Sequence, residues 1–535
     1  MDSSPTESTT SEPSSPAAPT AAPQPWLPRW ETLAAVVVIA AFAFINFRNI
    51  HQYGMSWDEP AGMFRGQDMA NIISHVFRGT PYETDYFSHS RFHPTFYAWL
   101  NYLLSGALVQ HGMEPIAAGH VLNVIVATFG LAVLYAFATR LFNPRVGLFA
   151  TLFLALYPRF IAHAHFNSKD MPVMVFAMLT LYLIYLAATS RKIILWICAG
   201  VAMGVASTTK LEALMILPMS IVPAALWFFG DEFTRRKLIG PLVFAGTAMV
   251  TMFLLWPALW LDPHFGVSAV EFFSGEFEFI QQPYLNQYYL AGHIPWHYTA
   301  VHMFAVTPTL TLVCAIFGVV ALGGRARHGD KLLETSLVLS WAALPVLIRC
   351  TGLFLQYDGM RHVFIVVPPL AIIAALGLDW FVNRLCLIPA GRLLAAAATV
   401  GSFCWLFVQC TIGHPYQGSY LNEVIRHTFA KETIGHYFDF SSWAVPMQDG
   451  VRWLNRYAPA NARIRVIPGD YPNFTIGSYS LRSDLSVGNE ADADLIVASS
   501  LYAVSDPGYR PIFIVSCNGT PLLLIYVREG NTDWG

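Results

Sequence analysis

Long apolar runs alternate with short polar connectors over most of this chain, near 31–47, 117–139, 146–165, 171–189, 193–209, 211–229, 238–260, 298–322, 335–350, 361–383 and 393–413. A helix needs about 17–25 such residues to cross the hydrocarbon core of a bilayer, so about eleven membrane helices are expected. Positive residues mark connectors on the cytoplasmic side. Arg140 with Arg145, Arg191 with Lys192, Arg235-Arg236-Lys237, Arg325 with Arg327 and Lys331, and Arg384 with Arg392 fall in every second connector after residue 117. A further run, 94–110, would break that alternation if it crossed. Its Trp and Tyr residues fit an interfacial or re-entrant helix on the outer side instead. The runner-up is a hairpin of 94–110 with 117–139, giving twelve spans. In the eleven-span reading the N-terminus is cytoplasmic and the tail lies outside.

The pattern changes at both ends. Residues 1–28 are rich in Ser, Thr, Pro and Ala with few large apolar side chains, and are expected to be disordered. They lack the basic start of a signal peptide, so the first apolar run is expected to stay as an anchor. After residue 413 the runs shorten. Residues 462–468, 494–498, 511–516 and 521–527 read as strands between turn residues, with a helix near 447–454 before them. The expected organisation is a tail at 1–28, a transmembrane domain at 29–413 whose first outer loop is 48–116, and a small extracytoplasmic α/β domain at 414–535. The fold class is thus an all-α polytopic membrane protein, with juxtamembrane helices in its first outer loop and a small α/β appendage. Asn473-Phe-Thr475 and Asn518-Gly-Thr520 fit the acceptor pattern for N-glycans, which is common by chance.

Composition agrees with the pattern. Charged residues make up 12% of the 535 and mean hydropathy is +0.46, against about 25% charged residues in soluble domains. A net charge of −3 argues against nucleic acid as a partner. The seven cysteines form no C-x-x-C and no metal-spaced cluster, so neither a disulfide framework nor a metal centre is expected. No cofactor is required by the pattern; a divalent metal remains possible without being indicated.

Against this apolar background a few polar stretches stand out, all on the outer face in the eleven-span reading. Gly54-Met-Ser-Trp-Asp-Glu-Pro60 puts Asp58 and Glu59 at the mouth of the first span, where ionised groups are costly unless they meet water, a partner or substrate. Ser56-x-x-Glu59 is also a capping-box pattern, which accounts for Glu59 more readily than for Asp58. Tyr157 through Pro172 gathers Arg159, His163, His165, Asn167, Lys169 and Asp170, more polarity than one helix cap needs. His163-x-His165 has no third ligand at defined spacing, so hydrogen bonding or phosphate binding is preferred to metal. Lys210 and Glu212 lie between two apolar runs, where a snorkelling lysine with its own counter-ion competes with an anion site. Gln356-Tyr-Asp-Gly-Met-Arg-His362 brings Arg361 and His362 to a helix start, a place that favours anions. The aromatic, acidic loop 261–297 either lies at the interface or covers a cleft.

A carboxylate base, several cations and aromatics on one membrane face suggest transfer from a lipid-linked phosphate. Arg361 with Lys169 or Lys210 would hold the phosphate as it leaves, and Asp58 would take the acceptor hydroxyl's proton. One base suffices for a single displacement with inversion. These residues resemble the C-type integral-membrane glycosyltransferases, the protein O-mannosyltransferase and aminoarabinose transferase group. The resemblance is carried by Trp57-Asp58-Glu59, Tyr86-Phe87, His93-Pro94, Phe166 to Pro172, Thr209-Lys210, and Gly359-Met-Arg-His362 with Pro368-Pro369, over about residues 30–415. It implies a catalytic Asp58 and eleven core spans. It also implies a polyprenyl- or dolichyl-phosphate sugar donor, and a protein, lipid or glycan acceptor. Glu59, His93, Arg159, His165, Lys169, Asp170, Lys210, Glu212, Arg361 and His362 are the expected substrate-binding residues. The loop 261–297 lacks the large insert of eukaryotic protein mannosyltransferases, and small bacterial members look closest, which favours a plasma membrane. A secondary transporter is the competing class, but neither an internal repeat nor charges at helix centres support it. A lipid-phosphate hydrolase or phosphotransferase is the third.

Overall fold

Pro, Gly and the basic residues punctuate the chain into helices whose order follows the apolar runs. In this computed structural model the described residues are 29–80, 92–230, 236–261, 264–275, 280–438, 440, 442–467, 476–488, 493–499 and 508–530. The tail 1–28, Tyr86-Phe87, Arg235 and the Asn473 acceptor pattern lie outside them. The helices are α1 (Trp30–Arg48), α2 (Asp58–Arg78), α3 (Phe96–Gln110), α4 (Pro115–Leu141), α5 (Pro144–Ala155), α6 (Pro158–Phe166), α7 (Asp170–Ser190), α8 (Ile193–Thr209) and α9 (Ile216–Phe229). They continue with α10 (Arg236–Leu255), α11 (Ala258–Leu261), α12 (Phe265–Gly275), α13 (Tyr298–Val306), α14 (Thr309–Arg327), α15 (Leu332–Cys350), α16 (Val367–Leu385) and α17 (Gly391–Ile412).

Among the described residues nine helices are long and apolar enough to cross a membrane, or ten with the bent pair α5–α6 counted as one span. At 17 residues α8 falls just short of that length. The protein is a polytopic helical membrane protein, and these eleven segments stand where the apolar runs placed them. Three runs differ in detail, each at a proline. The run 146–165 is not one straight span: α5 and α6 meet at 65°, where Pro158 opens α6. The run 298–322 breaks into α13 and α14 at Thr307-Pro308, both in extended backbone, because a residue before proline is pushed out of the helical region. The run 238–260 divides in the same way at Trp256-Pro257. The 15-residue α3 does not reach spanning length.

Burial sorts the spans into layers. The segment Arg361–Leu385 is 89% buried and forms the centre, whereas Lys237–Leu255 is 6% buried and apolar all round, as a lipid-facing helix should be. The central α16 lies against α14 so closely that a Cβ at Gly377 would stand 1.8 Å from the Cys314 carbonyl oxygen. Such small-residue crossings let membrane helices pack backbone to backbone.

The tail holds two short helices, α18 (Glu423–Thr428) and α19 (Ile434–Tyr437), then α20 (Met447–Tyr457) and a sheet. The four expected strands are present as β3 (Arg463–Ile467), β5 (Leu495–Ser499), β6 (Tyr509–Cys517) and β7 (Thr520–Arg528), and Ser486–Gly488 adds β4. Their order is β4-β3-β5-β7-β6, parallel among the first three and antiparallel across β5-β7-β6. Asn518 and Gly519, both at positive φ, make the two-residue turn joining β6 to β7. A separate antiparallel hairpin, β1 (Gln281–Tyr284) with β2 (Gln287–Leu290), occupies the loop before α13.

Candidate active site

The polar motifs meet at one end of the bundle, where α1, α6, α8 and α15 end and α2, α7 and the central segment begin. Ser56 N–H donates to the Glu59 carboxylate at 2.6 Å, which is one half of the capping box. The other half is missing: Ser56 Oγ donates instead to the Phe166 carbonyl at 3.2 Å, fastening the start of α2 to α6. Glu59 is buried, and its other carboxylate oxygen lies 3.0 Å from His120 Nε2. Its contacts are thus structural, and Asp58 points elsewhere.

Asp58 faces cations. One carboxylate oxygen sits 3.0 Å from an Arg361 terminal nitrogen and 3.4 Å from Lys169 Nζ, with its side chain 23% accessible. Burial alone would raise its pKa, but Lys169, Arg361 and Arg65 together override burial and hold the carboxyl well below the usual carboxylate range. Lys169 responds in the opposite sense. Burial, reinforced by Arg65, pulls its ammonium down from 10.5 to about 7, and Asp58 offsets only part of this. Burial, with Arg65 and Lys169, holds the neighbouring His93 well below its usual value.

A second row of pairs continues from Arg361. Its Nε lies 3.5 Å from Asp170, and Asp358 accepts from it at 2.5 Å. Asn167 caps α7, accepting from the backbone of Lys169 and Asp170 at 3.1 and 2.8 Å, which leaves the Asp170 side chain for Lys210 at 2.6 Å. Lys210 also reaches Glu212 at 2.8 Å, and Glu212 meets His362 Nδ1 at 3.0 Å and Arg349 at 3.7 Å. The hairpin and the start of α13 brace this row from the loop side: Gln282 accepts from the Asp358 backbone at 2.9 Å, and Tyr298 Oη from Gly359 at 2.9 Å.

Of the residues expected from the sequence, Asp58, His93, Lys169, Asp170, Lys210, Glu212, Arg361 and His362 thus share one cluster. Glu59 and His165 do not contact it. His165 stacks on Tyr53 at 3.6 Å between ring centroids, and its Nδ1 meets the Ile161 carbonyl at 2.9 Å. Arg159 is buried on α6. Sequence reasoning missed Arg65, Arg349, Asp358 as the partner of Arg361, and Trp443, whose ring lies 4.7 Å from the Arg361 guanidinium carbon. Arg349 carried a usable signal, a lone arginine at the end of an apolar span. Arg65 carried none, because it reads as one more polar position on an amphipathic helix.

Among the described residues the cluster holds five cationic side chains (Arg65, Lys169, Lys210, Arg349, Arg361) and four carboxylates (Asp58, Asp170, Glu212, Asp358). Arg361 and Lys210 each serve more than one carboxylate. Such a site can take an anion. Among the described residues no three His, Cys, Asp or Glu side chains are grouped to hold a metal.

Residues 92–260 match the family model described as dolichyl-phosphate-mannose-protein mannosyltransferase. Among solved structures the chain is similar to ArnT from Cupriavidus metallidurans bound to undecaprenyl phosphate. The identity is 14% and the TM-score 0.50, covering 92% of this chain and 97% of that one. It is also similar to the apo oligosaccharyltransferase of Archaeoglobus fulgidus, at 12% identity and TM-score 0.51, covering 87% of this chain and 65% of that one. Identities this low speak for the fold. No curated protein matches the chain by sequence.

Proposed function

From a chain that resembles the C-type integral-membrane glycosyltransferases, by its family match over residues 92–260 and by its fold over most of its length, we propose a lipid-phosphate-dependent glycosyltransferase. It moves a sugar from a polyprenyl- or dolichyl-phosphate donor to an acceptor hydroxyl at the extracytoplasmic face of a plasma membrane. The observation that carries this reading is Asp58, ionised and partly accessible, set against Arg361 and Lys169 within a cluster of shared ion pairs.

The donor phosphodiester would seat on Arg361, Lys169 and Lys210. In that position it competes with Asp58 for the same cations, so the aspartate's proton affinity rises as the donor binds. The acceptor oxygen then attacks the anomeric carbon while the bond from that carbon to the phosphate oxygen breaks. The electron pair stays with the phosphate, whose second negative charge the cations stabilise. The hydroxyl proton passes to Asp58. One displacement inverts the anomeric centre, and no general acid is needed because phosphate leaves as an anion.

The test is to incubate purified protein with a panel of polyprenyl-phosphate sugars and acceptor lipids, peptides and glycans, measuring released polyprenyl phosphate. Consumption of one donor class with sugar appearing on an acceptor is expected. Transmembrane flux of a solute, with every lipid-linked sugar intact, would sink the reading in favour of a transporter.

A further inference from the structure

The segment 443–445 of the tail lies directly on the stretch that carries Asp58. Trp57 N–H donates to the Trp443 carbonyl at 3.1 Å, one residue before Asp58. Met55 N–H donates to Tyr479 Oη at 2.7 Å. A Cβ on Gly54 would stand 2.2 Å from the Val445 carbonyl oxygen, so this approach is open only to glycine. From the same residue, the Trp443 ring reaches the other side of the pair. It lies 4.7 Å from the guanidinium carbon of Arg361, and edge-on to His163 at 5.1 Å and Phe166 at 6.0 Å.

The backbone there is strained. Trp443 has φ +51° and ψ +48°, and Ala444 follows at φ +65°. Two consecutive left-handed non-glycine residues are unfavourable for L-amino acids and persist only where surrounding contacts over-determine them.

We propose that Trp443 is a positioning residue of the transfer reaction: its carbonyl fixes the start of the helix bearing Asp58 while its ring fixes the guanidinium of Arg361, so the tail domain sets the spacing between base and phosphate site. The residue is 6% exposed and acts through Asp58 and Arg361, with no face left for substrate. The inference rests on the proposed glycosyl transfer. It assigns the strand-rich tail a part in catalysis at the donor side.

The experiment compares Trp443→Phe, Trp443→Leu and Ala444→Gly, with kcat, donor KM, acceptor KM and thermal unfolding measured for each. Leucine keeps bulk but offers no π face. A desolvated cation–π contact supports roughly a tenfold to thirtyfold loss of kcat/KM for donor in the leucine variant, with phenylalanine retaining most activity. The acceptor KM stays at its starting value in both. Ala444→Gly relieves strain without touching the ring, and is expected to melt higher with unchanged activity. Equal kcat/KM for the Phe and Leu variants, or a loss confined to the acceptor KM, overturns the proposal. If Trp443→Leu does not fold, an intact Trp443→Phe protein that loses as much as tenfold does so too. Wild-type protein that consumes no lipid-phosphate sugar ends the functional reading itself, a distinct result.

Discussion

The two ends of the helix bundle use their charges differently. At the basic-loop end, Arg145 donates to Asp379 and, at 2.7 Å, to Asn383, while Asn383 in turn donates to Asp379 at 3.1 Å. Lys331 donates to the Leu141 carbonyl, and Arg325 and Lys331 lie 5.2 and 5.8 Å from the Phe142 ring. These groups have fixed partners of their own. At the Asp58 end the charges are shared: Arg361 serves Asp58, Asp170 and Asp358, and Lys210 serves Asp170 and Glu212. A closed pair resists exchange, because removing one partner strands the other. A shared row can rearrange around an incoming anion. That difference, more than the presence of ion pairs, marks one end as the site.

The comparison breaks most visibly at Arg361. Arg361→Gln leaves three carboxylates short of a partner and removes the proposed phosphate contact, so about a 10²–10³-fold fall in transfer is expected. Steady-state assay checks it, with thermal unfolding as the control for folding. A smaller effect comes from pH. Lys169 titrates near 7, so it is charged below that value and neutral above it. A donor anion favours the charged form; binding therefore takes up a proton above pH 7, and donor affinity weakens as pH rises, by up to about tenfold per unit. Calorimetry in buffers of different ionisation enthalpy reads that proton uptake directly. Lys169→Arg, whose guanidinium stays charged, should flatten the dependence. The smallest effect on activity lies at the opposite end. Arg145→Ala opens the fixed pair with Asp379, and its side chain is 35% accessible. Asp379 is only 7% accessible and is left without its cation, so a stability loss of about 3 kcal/mol is expected, read by thermal unfolding, with transfer within about twofold of the starting protein.

The sequence made the bundle legible because spanning length and basic connectors are local signals. Lys331 and Arg325 converging on Phe142 show the connectors 141–145 and 325–331 at one end. The site was legible where polar residues interrupted apolar runs, as Asp58, Lys169, Lys210 and Arg361 do. It was illegible where a contact joins distant segments whose local pattern is ordinary. Arg65 looks like any polar position on α2, and Trp443 lies almost 400 residues from Asp58 in a stretch with no pattern of its own. The bend at Pro158 was hidden for a related reason. Proline at the first helical turn is compatible with a continuous apolar run, and the 65° bend goes with tertiary packing of α6 against α4 that the run does not encode.

A single-turnover comparison of wild-type protein and Asp58→Asn, each first loaded with a consumed lipid-phosphate sugar, tests the central claim most directly. The account predicts equal donor loading and a fall in the rate of sugar transfer of about 10²–10⁴-fold in the variant. An Asp58→Asn protein that loads donor and transfers sugar at the wild-type rate would contradict it.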